Sequence, residues 1–485
     1  MLPANAALRS QVSQLTLNIA VAKARLADMK AELVRAQRQL DSITYPVLSL
    51  PTEIVSEIFI CCLPTPNTRQ WTRRVDGIDS KQAPLLLSQI CCQWRRIALS
   101  TSALWKRLDI NLRRRQRRAC IITETWLERA HSSPLSVRLH GPTGDLVDPK
   151  KFSETFHRYA PGIRSLEFDI FQDDLKWGMM ARSIDLPLLR RLSFRLVDGD
   201  AGLPESSRVE MFKNVPQLSQ VLFHQVLPEV VVLPWQQLTR FTGELYLPPE
   251  CQDALRLMPN LEECAFSVIE THANYSHLEV LSHQQIRSFT LFHSTSHHYA
   301  EARSMQILQF LALPKLESLE LLDVNYDDWF ILEACFENGP TPPLKRLVVR
   351  PQSGKGRTGL PLTVALFLQP HLTDLEIWHP DRGFTSDFFD SLGHNSAFMP
   401  GLEKLVFYCR YREDEASQAD LLGIAAEPIQ RRRVMAGVAQ LRVFHAVLVG
   451  DVYVSPWERD IDLFRELKAE GLDVYIGSEG GDNEI

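Results

Sequence analysis

Nothing in the chain approaches the run of roughly 18 apolar residues that a membrane-spanning helix requires, so none is expected. Residues Met1 to Ser10 lack a basic stretch followed by a continuous apolar one, which argues against a secretory signal. No sign of charge dominates: 53 Lys and Arg oppose 59 Asp and Glu, for a net charge of -6. That balance argues against a chain-wide nucleic-acid surface. Cysteine is sparse and odd in number, nine in 485 residues, which fits free thiols in a reducing compartment. The expected location is therefore intracellular, in the cytoplasm, the nucleus or both. Zinc ligands are usually spaced by two to four residues. Cys61-Cys62 and Cys91-Cys92 are adjacent pairs without a His pair at ligand spacing, so no metal site is expected.

Catalytic signatures are also missing. There is no phosphate-cradling Gly-Lys-Ser/Thr loop, dinucleotide fingerprint, nucleophile elbow or metalloprotease helix. Gly354-Lys355-Gly356 lacks the flanking glycine spacing and reads as a loop. The His residues around 283–298 form a loose, solvated group between repeats. No enzyme, cofactor or catalytic residue is assigned. Hydrophobic residues at 45% and charged residues at 23% are ordinary globular proportions, and the length suggests about three units.

Three regions separate by pattern. Residues 5–43 contain neither Pro nor Gly. Leu8, Val12, Leu15, Ile19, Ala22, Leu26, Met29, Leu33, Ala36, Leu40 and Ile43 recur in alternating steps of four and three. This is a heptad seam, and the helix carrying it would be about 53 Å long. Its partner, through 8–43, is another part of the chain or a coiled-coil helix. A parallel homodimer would oppose Arg25 to Lys30 of the second copy, a like-charge pair, so an antiparallel or intramolecular partner is at least as compatible.

Residues 45–108 read as short helices. Leu50-Pro51-Thr52-Glu53 is a helix start, with Pro in the first turn and an acid near the positive end. Ile54, Ile58 and Cys62 form a stripe, and a second apolar segment carries Leu87, Ile90, Cys91, Trp94 and Ile97. A unit this small cannot hide all of its apolar residues. Leu50-Pro51-Thr52-Glu53-Ile54, Ile58-Phe59, Leu63, Ile90-Cys91-Cys92-Gln93-Trp94-Arg95 and Ala103-Leu104-Trp105 together resemble the F-box family. That resemblance implies a small helical domain docking on the adaptor of a cullin–RING ubiquitin ligase. The family's contact positions carry over to Leu50, Pro51, Ile54, Ile58, Leu63, Trp94, Leu104 and Trp105. It covers about 60 residues, with Cys92 where a basic residue is usual, Ser102 where Pro is common and a longer loop over 65–82.

Residues 109–133 read as a basic linker and helix. Arg113, Arg114, Arg115, Arg117 and Arg118 suit a solvated connector, a nuclear import signal or a nucleic-acid patch. From 134 to 475 one pattern recurs: apolar residues at i, i+3 and i+5. First positions are Ile163, Leu189, Leu218, Leu261, Ile286, Leu316, Leu344, Leu372, Leu402 and Leu441; an eleventh, Leu238-Phe241, has Gly243 at i+5. Proline stands two residues before the first position in eight of the eleven, and the mean step is about 28 residues. That spacing suits a strand-plus-helix repeat, with segments such as Met305–Leu313 and Phe388–Leu392 as the helices.

The pattern is similar to leucine-rich repeats, without the Asn or Cys expected at i+8. The predicted fold is α plus α/β: a long N-terminal helix, an all-helical F-box, and an irregular leucine-rich-repeat-like solenoid with a parallel sheet. Residues 476–485 read as a disordered acidic tail. Position i+6 offers Phe292, Arg350, Trp378 and Tyr408 as candidate contacts for a protein substrate. The expected role is a non-catalytic substrate receptor, linked through the adaptor to a cullin. The alternatives are a protein-interaction scaffold without a ligase role and a nuclear nucleic-acid factor using the arginine cluster.

Overall fold

The computed structural model describes residues 2–41, 49–64, 80–112, 117–131, 133–142, 149–171, 182–197, 208–269, 275, 277–292, 305–324, 329–337, 342–351, 359–380, 382–410, 417–449 and 458–478. Described residues up to Leu104 form one compact unit, and those from Trp105 onward form a second.

In the first unit, α1 runs unbroken over Leu2–Asp41. Every described side chain from Leu8 to Gln39 is exposed. Three short helices follow: α2 (Thr52–Cys61), α3 (Leu87–Ile90) and α4 (Cys92–Ser100). Pro51 precedes α2 with φ -53°, where its missing N–H is no loss, and Glu53 lies in the first turn. Cys91 caps α4, its Sγ accepting from the Trp94 amide at 3.4 Å. A Ser56–Thr101 hydroxyl pair at 3.0 Å joins α2 to the end of α4. Beside it the Phe59 and Trp94 rings pack with centroids 4.9 Å apart.

The second unit is built on one parallel sheet. Its strands are β1 (Arg107–Asn111), β2 (Leu135–His140), β3 (Ile163–Phe171), β4 (Arg191–Val197), β5 (Gln220–His224), β6 (Arg240–Tyr246), β7 (Glu263–Val268), β9 (Ser288–Leu291), β11 (Ser318–Val324), β12 (Arg346–Pro351), β13 (Asp374–Trp378), β14 (Lys404–Arg410), β15 (Val443–Val449) and β16 (Asp473–Ser478). These fourteen lie in chain order, each parallel to the next. The two-residue strands β8 (Leu281–Ser282) and β10 (Leu311–Ala312) pair separately. Helices α5 (Arg117–Ala130), α6 (Pro149–Tyr159), α7 (Pro248–Leu257), α8 (Trp329–Glu337), α9 (Gly359–Phe367), α10 (Arg382–His394), α11 (Ser417–Arg433) and α12 (Glu458–Ala469) lie in the connections.

All eleven strands read from the repeat are present. Ten start at i+2, and β3 starts at i. The recurring prolines have a local cause. Leu189, Leu218, Leu261, Leu316, Leu372 and Leu402 each donate their amide to the carbonyl three residues back, at 3.1–3.3 Å. Each is the last residue of a turn whose second residue is Pro187, Pro216, Pro259, Pro314, Pro370 or Pro400. The fixed φ of Pro suits that place, and its missing N–H is not needed there. The apolar residues at i, i+3 and i+5 all point into the core, none more than 4% exposed. Side chains alternate along a strand, so i+2, i+4 and i+6 occupy the other face.

An aromatic row crosses several strands, drawn from i+5 except for Phe241 and Phe289, which stand at i+3. Phe168, Phe194 and Phe223 lead to Phe241, Phe266 and Phe289, with successive ring centroids 5.4–6.5 Å apart. Gly243 explains the gap in the repeat. A Cβ there would lie 2.7 Å from the Phe266 ring, so the ring occupies the space of the missing side chain.

Several boundaries differ from the sequence expectation. Strands β1, β2 and β16 escape the pattern. Apolar residues fill i+3 and i+5 there, but i+1 to i+6 alone is too short a signal: Pro134 and Gly471 stand at i in β2 and β16. In β1 the residue at i is Trp105. The supposed linker at 109–133 is the end of β1 and the crossover helix α5, with Ile110, Leu112, Trp126, Leu127 and Ala130 buried. Arg113–Arg115 lie outside the described residues, while Arg117 and Arg118 open α5. The sheet reaches three residues into the supposed tail, through Ser478, because Val474 and Ile476 are buried; 479–485 lie outside the described residues. Phe388–Leu392 belongs to α10, but Met305–Leu313 holds a 3-10 turn (Gln306–Phe310) and β10 rather than an α-helix.

Candidate docking surfaces

On α2 the apolar residues divide between two faces. Val55 and Phe59, four residues apart, are 2% and 1% exposed. Ile54 and Ile58, also four apart, are 50% and 41% exposed. Pro51 is exposed, and Leu50 and Leu63 are half-buried. Leu86, just before α3, and Ile90, which closes it, add exposed apolar area that the sequence analysis did not single out. Their four-residue spacing was the available signal, but Leu85-Leu86-Leu87 conceals which face points out.

The other expected contact residues do not join this surface. Trp94 is half-buried against Phe59. Leu104 is 1% exposed and Trp105 0%. Trp105 stands at position i of the first repeat, three residues before Leu108, which is in register with Val137 and through it with Leu166. Trp126 meets it edge-on at 4.8 Å, and the Arg129 guanidinium lies 4.5 Å from its ring centroid. Trp105 is thus a core residue of the sheet unit, and neither it nor Leu104 presents a contact surface.

In the sheet, register places His140, Asp169, Arg195, His224 and Glu244 in one row at i+6. The same row continues as Arg350, Trp378, Tyr408 and Val447. Its early part is charged and tightly paired: His224 Nδ1 lies 2.7 Å from Glu244 Oε2, and both residues are buried. Arg138, in the adjoining i+4 row, reaches Asp169 at 3.2 Å.

The later part is aromatic and half-exposed. Trp378 and Tyr408 stack with centroids 3.8 Å apart and planes 9° from parallel. The Arg350 guanidinium lies 5.4 Å from the Trp378 ring centroid and bonds Asp323 at 2.9 Å. Trp378 Nε1 donates to Glu376 Oε1 at 2.7 Å, which fixes the indole. Three of the four expected substrate contacts therefore adjoin on β12, β13 and β14. Phe292, half-buried just after β9, is two strands from Arg350, with Leu322 between them.

Backbone geometry shapes the end of this row. Gln225, Leu245, Asp323 and His379 all stand at i+7 with φ of 52–63°. At Leu245 and Asp323 this conformation shifts the register near the ends of β6 and β11. It brings Asp323 beside Arg350. None of the four is Gly or Asn, and only Asp323 and His379 belong to types with a weak preference for this conformation.

Among the described residues no three His, Cys, Asp or Glu side chains group as metal ligands, and no helix is long and apolar enough to cross a membrane. His283 is buried, its Nε2 2.9 Å from the Met258 carbonyl, and not solvated as its loose sequence grouping suggested. Compared with protein-family models and with curated proteins, the chain gives no match.

Proposed function

We propose that the chain is a non-catalytic substrate-recognition subunit of a cullin–RING ubiquitin ligase. In this reading α2 to α4 form an F-box whose exposed face docks the adaptor. The sheet unit is an irregular leucine-rich-repeat-like domain that holds a target protein. The observation that carries the proposal is the division of α2: the Leu50-Pro51-x-Glu53-Ile54 start leads into a helix that buries Val55 and Phe59 and leaves Ile54 and Ile58 outside. The adaptor-facing set is therefore Leu50, Pro51, Ile54, Ile58 and Leu63, with Trp94, Leu104 and Trp105 removed from it. On the sheet, Arg350, Trp378 and Tyr408 form the target-binding patch, since stacked aromatics and Arg make large contacts with little loss of side-chain freedom.

The test is a pull-down of the purified chain with the ligase adaptor, beside the double variant Ile54→Glu, Ile58→Glu. Both residues are exposed, so the variant keeps its fold. Binding by the wild type alone supports the receptor reading. A folded wild type that fails to bind overturns it and leaves the scaffold reading, which the exposed seam of α1 favours.

A further inference from the structure

The seam of α1 is uncovered from Leu8 to Ala36; the side chain of Leu40 and all of Ile43 lie outside the described residues. Leu8, Val12, Leu15, Ile19, Leu26, Met29 and Leu33 are each 52–67% exposed. With Ala22 and Ala36 at d, the seam assigns Arg9, Lys23 and Lys30 to e and Arg25 and Glu32 to g. The flanks over 8–39 thus carry four positive charges and one negative. All five side chains are exposed, and none forms an ion pair with another described residue. Their charges remain available to a second helix.

A second copy of the chain gains nothing net from them. In a parallel pair, Arg25 opposes Lys30 twice and no opposite charges meet. In an antiparallel pair that aligns Leu26 with Met29, Arg25 meets Glu32, but Lys23 meets Lys30 equally often. One heptad away, Arg25 meets Arg25 and Lys23 meets Lys23. Flanking charge selects coiled-coil partners, and here it opposes self-pairing or, in one antiparallel register, only balances out.

We propose that α1 docks a heptad-patterned helix of another protein with Glu or Asp at its flanking positions. Such a helix pairs with Arg9, Lys23, Arg25 and Lys30 together. Ala22 and Ala36 leave room in the seam for large apolar residues opposite them. The proposal does not depend on the proposed ligase role, because α1 is separate from the divided face of α2.

The experiment uses the full chain and two synthetic helices of about five heptads each. They share a Leu/Ile/Val seam; one has Glu at every e and g position, the other Lys. Binding is measured by calorimetry at roughly 0.05 M and 0.5 M salt. The expected result is preference for the Glu helix by on the order of a hundredfold at low salt, from about four attractive against four repulsive pairs. High salt should shrink the preference. The variant Lys23→Glu, Arg25→Glu, Lys30→Glu should reverse it, with the melting of the sheet unit unchanged as the folding control. Equal affinity for the two helices, or affinity for neither, overturns the proposal. So does a stable dimer of the wild-type chain in sedimentation that outcompetes the Glu helix.

Discussion

The two units treat similar periodic apolar patterns in opposite ways. In the sheet unit the residues at i, i+3 and i+5 are all within 4% of complete burial. In α1 the large seam residues from Leu8 to Leu33 are more than half exposed, although their spacing is just as regular. A period of three and four residues in one helix creates a stripe that the helix itself cannot cover. A repeat of strands covers its own stripe, because each strand packs beside the next and the crossovers close over the core. Periodicity therefore reports that a face will be buried, and the topology decides whether the burial is internal. Trp105 and Ile58 express the same contrast at single residues: both looked like contact residues, and only Ile58 is exposed.

Breaking the internal side of this contrast should have the largest effect. Trp105→Ala removes a fully buried indole that packs against Trp126 and Arg129. The expected loss is about 3–5 kcal/mol, as for large-to-small changes in other cores. Ile58→Ala, on the exposed face, should change stability by less than about 0.5 kcal/mol. Urea unfolding of both variants measures the difference. Similar small losses for both would show that Trp105 is not a core residue.

A smaller effect is expected where the repeat itself departs from its pattern. Gly243→Val restores an apolar residue at i+5, so pattern alone predicts a gain. The structure predicts a loss, because the new Cβ would meet the Phe266 ring at 2.7 Å and Phe241 at 3.1 Å. Overpacking of this kind costs about 1–3 kcal/mol. Phe266→Leu in the same chain should recover part of it by vacating space. A Gly243→Val variant that melts higher than wild type would overturn the account of the aromatic row.

These positions also mark how much was legible in advance. The eleven strands could be read because Pro at i-2 and three apolar residues are each tied to one physical task, turning or packing. Strand β16 could not, since Gly471 at i leaves only the pair Val474 and Ile476; β1 carries Trp105, Leu108 and Ile110, but in sequence Trp105 reads as the end of the F-box-like segment. Arg350, Trp378 and Tyr408 were legible as neighbours because parallel register carries i+6 across adjacent strands. The left-handed turn at Asp323, which supplies the partner of Arg350, had no glycine to mark it, only the weak preference of Asp for that conformation. For α2, the four-residue spacing showed two apolar faces, but not which of them packs on α4. Leu104 and Trp105 were misplaced because an Ala-Leu-Trp ending and the first position of a repeat share the same residues.

The finest contrast between the units is in their thiols. Cys61, Cys62 and Cys92 are exposed in the first unit, whereas Cys251, Cys264 and Cys409 are buried in the second. Burial pushes the Cys409 thiol up to about 12 and Cys335 up to about 11, and raises Cys251 and Cys264 well above the ordinary 9.0. A thiol-specific reagent near neutral pH should label the first three rapidly and the buried three only after unfolding, because the thiolate is the reactive form. The same groups give a pH dependence of definite sign. Above pH 9 the unfolded chain releases these protons while the folded chain retains them, so unfolding becomes easier. Their contribution to stability is complete below pH 9 and is lost as the pH rises toward 12, through the folded values. Melting followed from pH 8 upward should show a progressive decline beginning near 9. Replacing Cys409 by Ala should make that decline shallower, since one buried proton no longer separates the two states. An unchanged slope would mean that Cys409 is not held protonated by the sheet.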